Sequence, residues 1–182
     1  VKMNSSLSSL KKNLRFIMRK FKYFLLVVVL SFATLSNANA KVGDIYINGK
    51  IATTNTKNGY ILTSQKFNEL PKKIIRTTTS WTEKDHPVNF EGVKIKDILH
   101  LVNAKGKTLR MHALNDYWVD IPISDVEDFN IILANKMDGK PLEIRNFGPY
   151  FVIYPLDSNP TKLNSPIYLS RFIWQVDKIT VL

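Results

Sequence analysis

Apolar and polar residues alternate over Asp44-Ile45-Tyr46-Ile47-Asn48, which predicts a strand with one buried face. Asn48-Gly49 then supplies a turn before Ile51-Ala52-Thr53-Thr54, so an opening hairpin is expected. Ser64 is placed to cap a short helix that runs to Leu70 and ends at Pro71. The Ile- and Thr-rich residues 73–80 predict a strand with Trp81 at its end. Within residues 93–102, Ile95, Ile98, Leu99 and Val102 recur at three- and four-residue steps, the spacing of an amphipathic helix, closed by Asn103 and Gly106. Residues 108–114 and 118–121 predict two strands about a turn at Asn115-Asp116, with Tyr117, Val119 and Ile121 on one face.

Further along, Ser124-Asp125-Val126-Glu127 has capping-box spacing for a brief helix, and Asp138-Gly139 after residues 131–137 signals another hairpin. Residues 150–154, preceded by Gly148-Pro149, form a continuous aromatic and β-branched run that predicts a buried strand, and residues 174–182 offer a closing one. The Pro-, Asn- and Ser-rich residues 155–166 predict a surface loop. Together these elements define an α+β class, mostly antiparallel or mixed sheet with two or three short helices.

The pattern before residue 41 is of another kind. Basic Arg19, Lys20 and Lys22 precede an apolar run over residues 23–35, and Ala38-Asn39-Ala40 has the small-x-small form that a signal peptidase accepts. The run falls short of the ~20 apolar residues that a stable membrane-spanning helix needs. Residues 1–40 are therefore expected to be a cleavable signal peptide, with Met18 a plausible start and residues 1–17 a mis-called extension. Residues 41–182 are then one soluble periplasmic domain with no stable membrane insertion after cleavage.

This segment also changes the meaning of the charge. The formal net charge is +11, but seven of the 26 basic residues (Lys2, Lys11, Lys12, Arg15, Arg19, Lys20 and Lys22) lie before residue 41, where no acidic residue occurs. The remainder carries +4, 19 basic residues against 15 acidic ones, which gives no reason to expect a nucleic-acid partner. The chain has no cysteine, so it has no disulfide, no thiolate nucleophile and no thiolate metal ligand.

Motifs for known chemistries are missing: there is no phosphate-binding glycine loop, no G-x-S-x-G elbow and no H-E-x-x-H pair. His86, His100 and His112 are isolated, and Asp125, Glu127 and Asp128 are read as complementing the dipole of a helix start. No catalytic or metal-ligating residue is assigned. What stands out is the aromatic content beside turns: Trp81, Tyr117, Trp118, Phe147, Tyr150, Tyr154 and Trp174. Trp81 follows the hydroxyl-bearing residues 77–80, and Phe147 follows Arg145-Asn146. A planar heterocycle can stack on such a ring while Arg, amide and hydroxyl groups bind its edge.

Phe90-Glu91-Gly92-Val93 followed by Lys96-Asp97-Ile98-Leu99 resembles a segment of the sulfite-oxidase-type molybdopterin-binding domain. Leu114-Asn115-Asp116-Tyr117, Ile121-Pro122, Leu133-Ala134 and Met137-Asp138-Gly139-Lys140-Pro141-Leu142 follow in the family's order. So do Arg145-Asn146-Phe147-Gly148-Pro149-Tyr150, Trp174-Gln175-Val176 and Ile179-Thr180-Val181, and the resemblance covers nearly all of residues 43–182. It implies a sulfite-oxidase-like fold. Enzymes of that family bind molybdenum through a cysteine thiolate in the strand before the Gly-Val segment. Here Thr77-Thr78-Thr79-Ser80-Trp81 contains none, and a hydroxyl does not replace a soft thiolate on such a metal.

A short, exported, cysteine-free chain of this kind resembles the small periplasmic pterin-binding regulators. That resemblance implies a non-catalytic protein that binds a free pterin of the tetrahydropterin type. Its implied protein partner is the periplasmic domain of a membrane signalling protein that controls cyclic diguanylate. The alternative reading is a molybdopterin-dependent oxidoreductase subunit with non-thiolate ligation; a third is an interaction module whose pocket is vestigial. On the resemblance Trp81 stacks on the ligand, with Thr79, Asn115, Asp116, Arg145, Phe147 and Tyr154 as further binding residues.

Overall fold

The computed structural model describes residues 41–83 and 85–182; the expected signal peptide, residues 1–40, lies outside the described residues. Alternation is realised in β1 (Ile45–Gly49), which buries Ile45 and Ile47, and in β5 (Thr108–Ala113), which buries Leu109, Met111 and Ala113. With β2 (Tyr60–Leu62), β6 (Trp118–Pro122) and β10 (Val176–Val181) they form a five-stranded sheet in the order β2-β1-β10-β5-β6. The β1–β10 pair is parallel and the other pairs are antiparallel.

In the second sheet β3 (Lys72–Thr77), β4 (Val88–Lys94), β7 (Ile132–Met137) and β8 (Lys140–Pro141) are neighbours in that order, all antiparallel, and β9 (Phe151–Ile153) also pairs with β7. Both sheets contribute to one apolar core, in which Ile45, Phe90, Ile98, Met111, Phe151 and Ile179 are all fully buried. Three short helices join the strands: α1 (Ser64–Glu69), α2 (Ile95–Leu101) and α3 (Ile123–Phe129). No helix among the described residues is long and apolar enough to cross a membrane.

The expected strands at β5, β6, β9 and β10, the helix at α2, and the β7–β8 hairpin at Asp138-Gly139 are present. The opening hairpin is not. Gly49 adopts φ +88° and its Cα lies so close to β10 that a Cβ would fall 2.1 Å from the Val181 carbonyl oxygen. The glycine thus serves the parallel β1–β10 contact, and β1 takes Tyr60–Leu62 as its antiparallel partner.

Residues 88–94 form a central strand that the sequence pattern did not predict. Gly92 lets β7 approach there, since a Cβ would lie 2.1 Å from the Leu133 carbonyl oxygen. Thr63, not Ser64, caps α1, its side chain accepting from the Lys66 amide at 3.2 Å. The expected capping box of α3 is absent, because Pro122 is its N-cap and Ser124 already lies inside the helix. The expected loop over residues 155–166 is instead a 3-10 turn, Leu156–Ser158, followed by the one-turn helices α4 (Pro160–Leu163) and α5 (Pro166–Leu169), each with proline in its first turn.

Candidate functional site: a threonine loop between two grooves

β3 ends at Thr77, and the chain then turns through a loop, residues 78–82, whose hydroxyls hold its shape. The Thr78 amide and hydroxyl donate to the two carboxylate oxygens of Asp157, at 2.9 and 2.6 Å. The Asp157 amide in turn donates to the hydroxyl oxygen of fully buried Thr77 at 3.1 Å. Within the loop the Thr79 amide donates to Thr82 Oγ1 at 2.9 Å, and the Trp81 amide donates to Thr79 Oγ1 at 3.2 Å. These bonds fix Trp81 between the threonine loop and a cluster of rings.

Trp81 meets Trp174 edge to face at a centroid distance of 4.7 Å, with Phe151 at 6.1 Å and Phe172 at 6.4 Å. Phe147 stacks on Phe151 at 5.4 Å and meets Trp174 edge-on at 5.9 Å. Fully buried Phe151 therefore anchors both rings to β9.

Two grooves flank the loop. One, of about 410 Å³, is lined by Thr78, Thr79, Ser80, Thr82, Asp85 and Asp157, with Asn164 and Leu169 opposite in the α4–α5 segment. The other, of about 300 Å³, is lined by Trp81, Asn115, Tyr117, Ser170, Phe172 and Trp174. The first is polar and acidic in its described lining; the second is aromatic with one side-chain amide, of Asn115, and two hydroxyls, of Tyr117 and Ser170.

Of the residues expected to bind ligand, Trp81 and Asn115 come together in the aromatic groove, and Thr79 lines the polar one. Asn115 Oδ1 accepts from the Tyr117 amide at 3.2 Å, closing the turn. Phe147 lies in the ring cluster beneath Trp174 and lines neither groove. Asp116 is exposed at φ +65° in the β5–β6 turn and lines neither groove. Arg145 pairs with Glu143 at 2.6 Å, both side chains largely in solvent, so its guanidinium is held outside the grooves.

Tyr154 is the clearest misplacement. It is fully buried, and its hydroxyl donates to Asp125 Oδ2 at 2.8 Å. Burial and the adjacent Asp125 carboxylate push its phenol far above the usual range, so it stays protonated as a donor. Asp125 does not act mainly on the α3 dipole as expected; it is buried and also receives Arg171 Nη1 at 2.6 Å. Arg171 stands between Ser170 and Phe172, both of which line the aromatic groove, so this buried pair braces the groove wall.

The sequence reading singled out Tyr117 and Trp174 among the aromatics beside turns but named neither as a binding residue, and both line the aromatic groove. It missed Asp157, placed in a loop. Asp157 left no signal beyond being acidic within a Pro- and Asn-rich stretch.

A family model, the oxidoreductase molybdopterin binding domain, matches residues 62–156, more than half of the chain, and the chain belongs to that family. No curated protein matches it. Among solved structures it is similar to the crystal structure of the sulfane dehydrogenase SoxCD from Paracoccus pantotrophus, with a TM-score of 0.56 at 15% identity. The match covers 79% of this chain and 39% of that chain, so this chain spans well under half the length of its structural relative. At this identity the likeness is one of fold: α+β, mostly antiparallel sheet, sulfite-oxidase-like.

The family's metal does not fit the donors present. The chain has no cysteine, and among the described residues no group of three or more His, Asp or Glu side chains is placed to hold a metal ion. The loop hydroxyls of Thr77, Thr78, Thr79 and Thr82 are all engaged in holding the loop. They are hard, weakly acidic donors in any case, unsuited to replace a thiolate.

Proposed function

We propose that this protein binds a reduced pterin without thiolate-ligated molybdenum and acts outside the cytoplasm as a non-catalytic ligand-binding protein. One observation carries the reading. Trp81 and Asn115, far apart in sequence, line one groove with Tyr117 and Trp174. A pterin is flat, so a Trp face can stack on it, and its edge presents donors and an acceptor that an amide can satisfy. Membership of a pterin-cofactor domain family supports the ligand class, and the donor set argues against the metal.

The resemblance to small periplasmic regulators extends the proposal: pterin occupancy is relayed to the periplasmic domain of a membrane protein that controls cyclic diguanylate. Protein exported to the periplasm and then denatured should release a pterin that is identifiable by mass spectrometry and becomes fluorescent on oxidation, with no stoichiometric molybdenum by elemental analysis. Stoichiometric molybdenum would instead favour an oxidoreductase subunit with non-thiolate ligation. Release of no small molecule, together with no binding of added 7,8-dihydroneopterin, would favour an interaction module with a vestigial pocket.

A further inference from the structure

The two grooves share a wall. Ser80 lines the polar groove and Trp81 the aromatic one, and across from them Leu169 and Ser170 divide in the same way. A ring stacked on Trp81 would have the polar groove as its neighbour, and a substituent on the ring edge facing Ser80 would extend into it.

The charge of that groove is what selects the substituent. Its described lining includes the carboxylates of Asp85 and Asp157 and no Lys or Arg. Asp157 is held in place, because Thr78 donates to both its carboxylate oxygens and its amide is tied to Thr77. The cations nearest in sequence on the opposite wall are engaged elsewhere. The Lys162 ammonium sits 4.8 Å over the Phe129 ring, and Arg171 is paired with buried Asp125.

An anion entering here meets fixed negative charge with no counter-charge from these side chains. We propose that the polar groove takes an uncharged, hydroxyl- or amine-bearing substituent and rejects a phosphorylated one, with Asp157 as the specificity-determining residue and Asp85 in support. The inference rests on the pterin-binding reading above. It means that this chain departs from a phosphate-bearing molybdopterin ligand in a second respect, independent of the missing thiolate.

The test is a pair of titrations, 7,8-dihydroneopterin against its 3′-monophosphate, at low and high salt. The wild type should bind the unphosphorylated compound tighter by roughly tenfold or more at low salt, with the gap narrowing as salt screens the carboxylates. In Asp157→Asn and in Asp85→Asn the gap should narrow because the phosphorylated compound gains affinity. Asp85 makes no bond to the loop that Asp157 does, so its variant decides the matter if Asp157→Asn is poorly folded. Equal binding of the two compounds by the wild type, or a preference for the phosphate, overturns the inference and leaves pterin binding standing. A gap that persists in both folded variants overturns the role of these carboxylates. Failure of both compounds to bind overturns the pterin reading itself, and this inference with it.

Discussion

Replacing Trp81 by Ala separates a groove wall from a core residue, because the two roles predict different losses. Trp81 is 38% exposed, so about three-fifths of its surface is covered, chiefly by Trp174, Phe151 and Phe172. A large aromatic buries ~150–250 Å² in full. At ~25 cal/mol/Å², partial cover and the contacts an Ala would keep leave a cost of roughly 2–3 kcal/mol. A fully buried aromatic such as Phe90 should cost about 3–5 kcal/mol when cut to Ala. Trp174, which sequence alone would select as the core control, lines the same groove and cannot serve.

On the binding side, taking base–aromatic stacking as the analogue, loss of the ring is worth about 1–3 kcal/mol, or roughly 5- to 150-fold in Kd for 7,8-dihydroneopterin. Urea midpoints for wild type, Trp81→Ala and Phe90→Ala, beside fluorescence titrations of the same proteins, read both quantities. Asn115→Ala adds a check, since an exposed turn residue should weaken binding while moving the urea midpoint little. The stacking role is refuted if folded Trp81→Ala binds dihydroneopterin as tightly as wild type. It is equally refuted if Trp81→Ala is destabilised as much as Phe90→Ala, because the ring would then be core.

Three further outcomes are open to direct measurement. Arg171→Ala leaves the buried Asp125 carboxylate with Tyr154 alone and should cost about 3–5 kcal/mol in urea unfolding; a loss under about 1 kcal/mol would show the pair to be unimportant. Burial, with Lys178 adding to it, holds the His112 imidazole below its ordinary value of 6.5, so the unfolded chain takes up that proton first as pH falls. His112 therefore contributes full stability above about pH 6.5 and loses it on acidification below that value, and His112→Gln should flatten the fall in urea midpoint between about pH 7 and pH 5. Exported protein should give an intact mass beginning at Lys41, whose nitrogen already donates to Asp44 Oδ2 at 3.0 Å; a retained species carrying Arg19 to Ala40 would contradict the signal-peptide reading.

The elements readable in sequence were those whose burial follows one periodicity. Leu109, Met111 and Ala113 alternate in β5, and Ile95, Ile98 and Leu99 mark α2, because each element presents a single face to the core. β4 was hidden because Asn89, Glu91 and Gly92 interrupt its apolar residues, and its identity comes from lying between β3 and β7 rather than from its own pattern. The Asn48-Gly49 turn signal was real as a backbone preference but not as a hairpin, since the strand edge it would have paired is occupied by β10. Pairing partners distant in sequence set that outcome, and no local window contains them.

The site was legible in part for a similar reason. Trp81 was readable because it follows a run of hydroxyl residues at a strand end, whereas Asn115 entered only through the family resemblance, its turn alone carrying no binding signal. Arg145 misled because a guanidinium beside an aromatic looks like a ligand clamp, yet Glu143, two residues earlier, pairs with it in solvent. Tyr154 misled because a buried phenol and a pocket phenol read alike until Asp125, from another element, is seen to accept its hydrogen bond.

The threonine loop carries the deeper lesson. Thr77, Thr78, Thr79 and Thr82 each place their hydroxyl in a bond that shapes the loop or ties it to Asp157. A segment whose side chains are committed to holding its own backbone supplies a position rather than a ligand. What it positions is the partly exposed ring of Trp81, set against Trp174 at the boundary between an aromatic and an acidic groove. In the stretch where the resemblance implies a metal-binding thiolate, this chain has hydroxyls committed to the loop and the partly exposed ring of Trp81, and that arrangement is what the proposal of recognition by stacking and charge rests on.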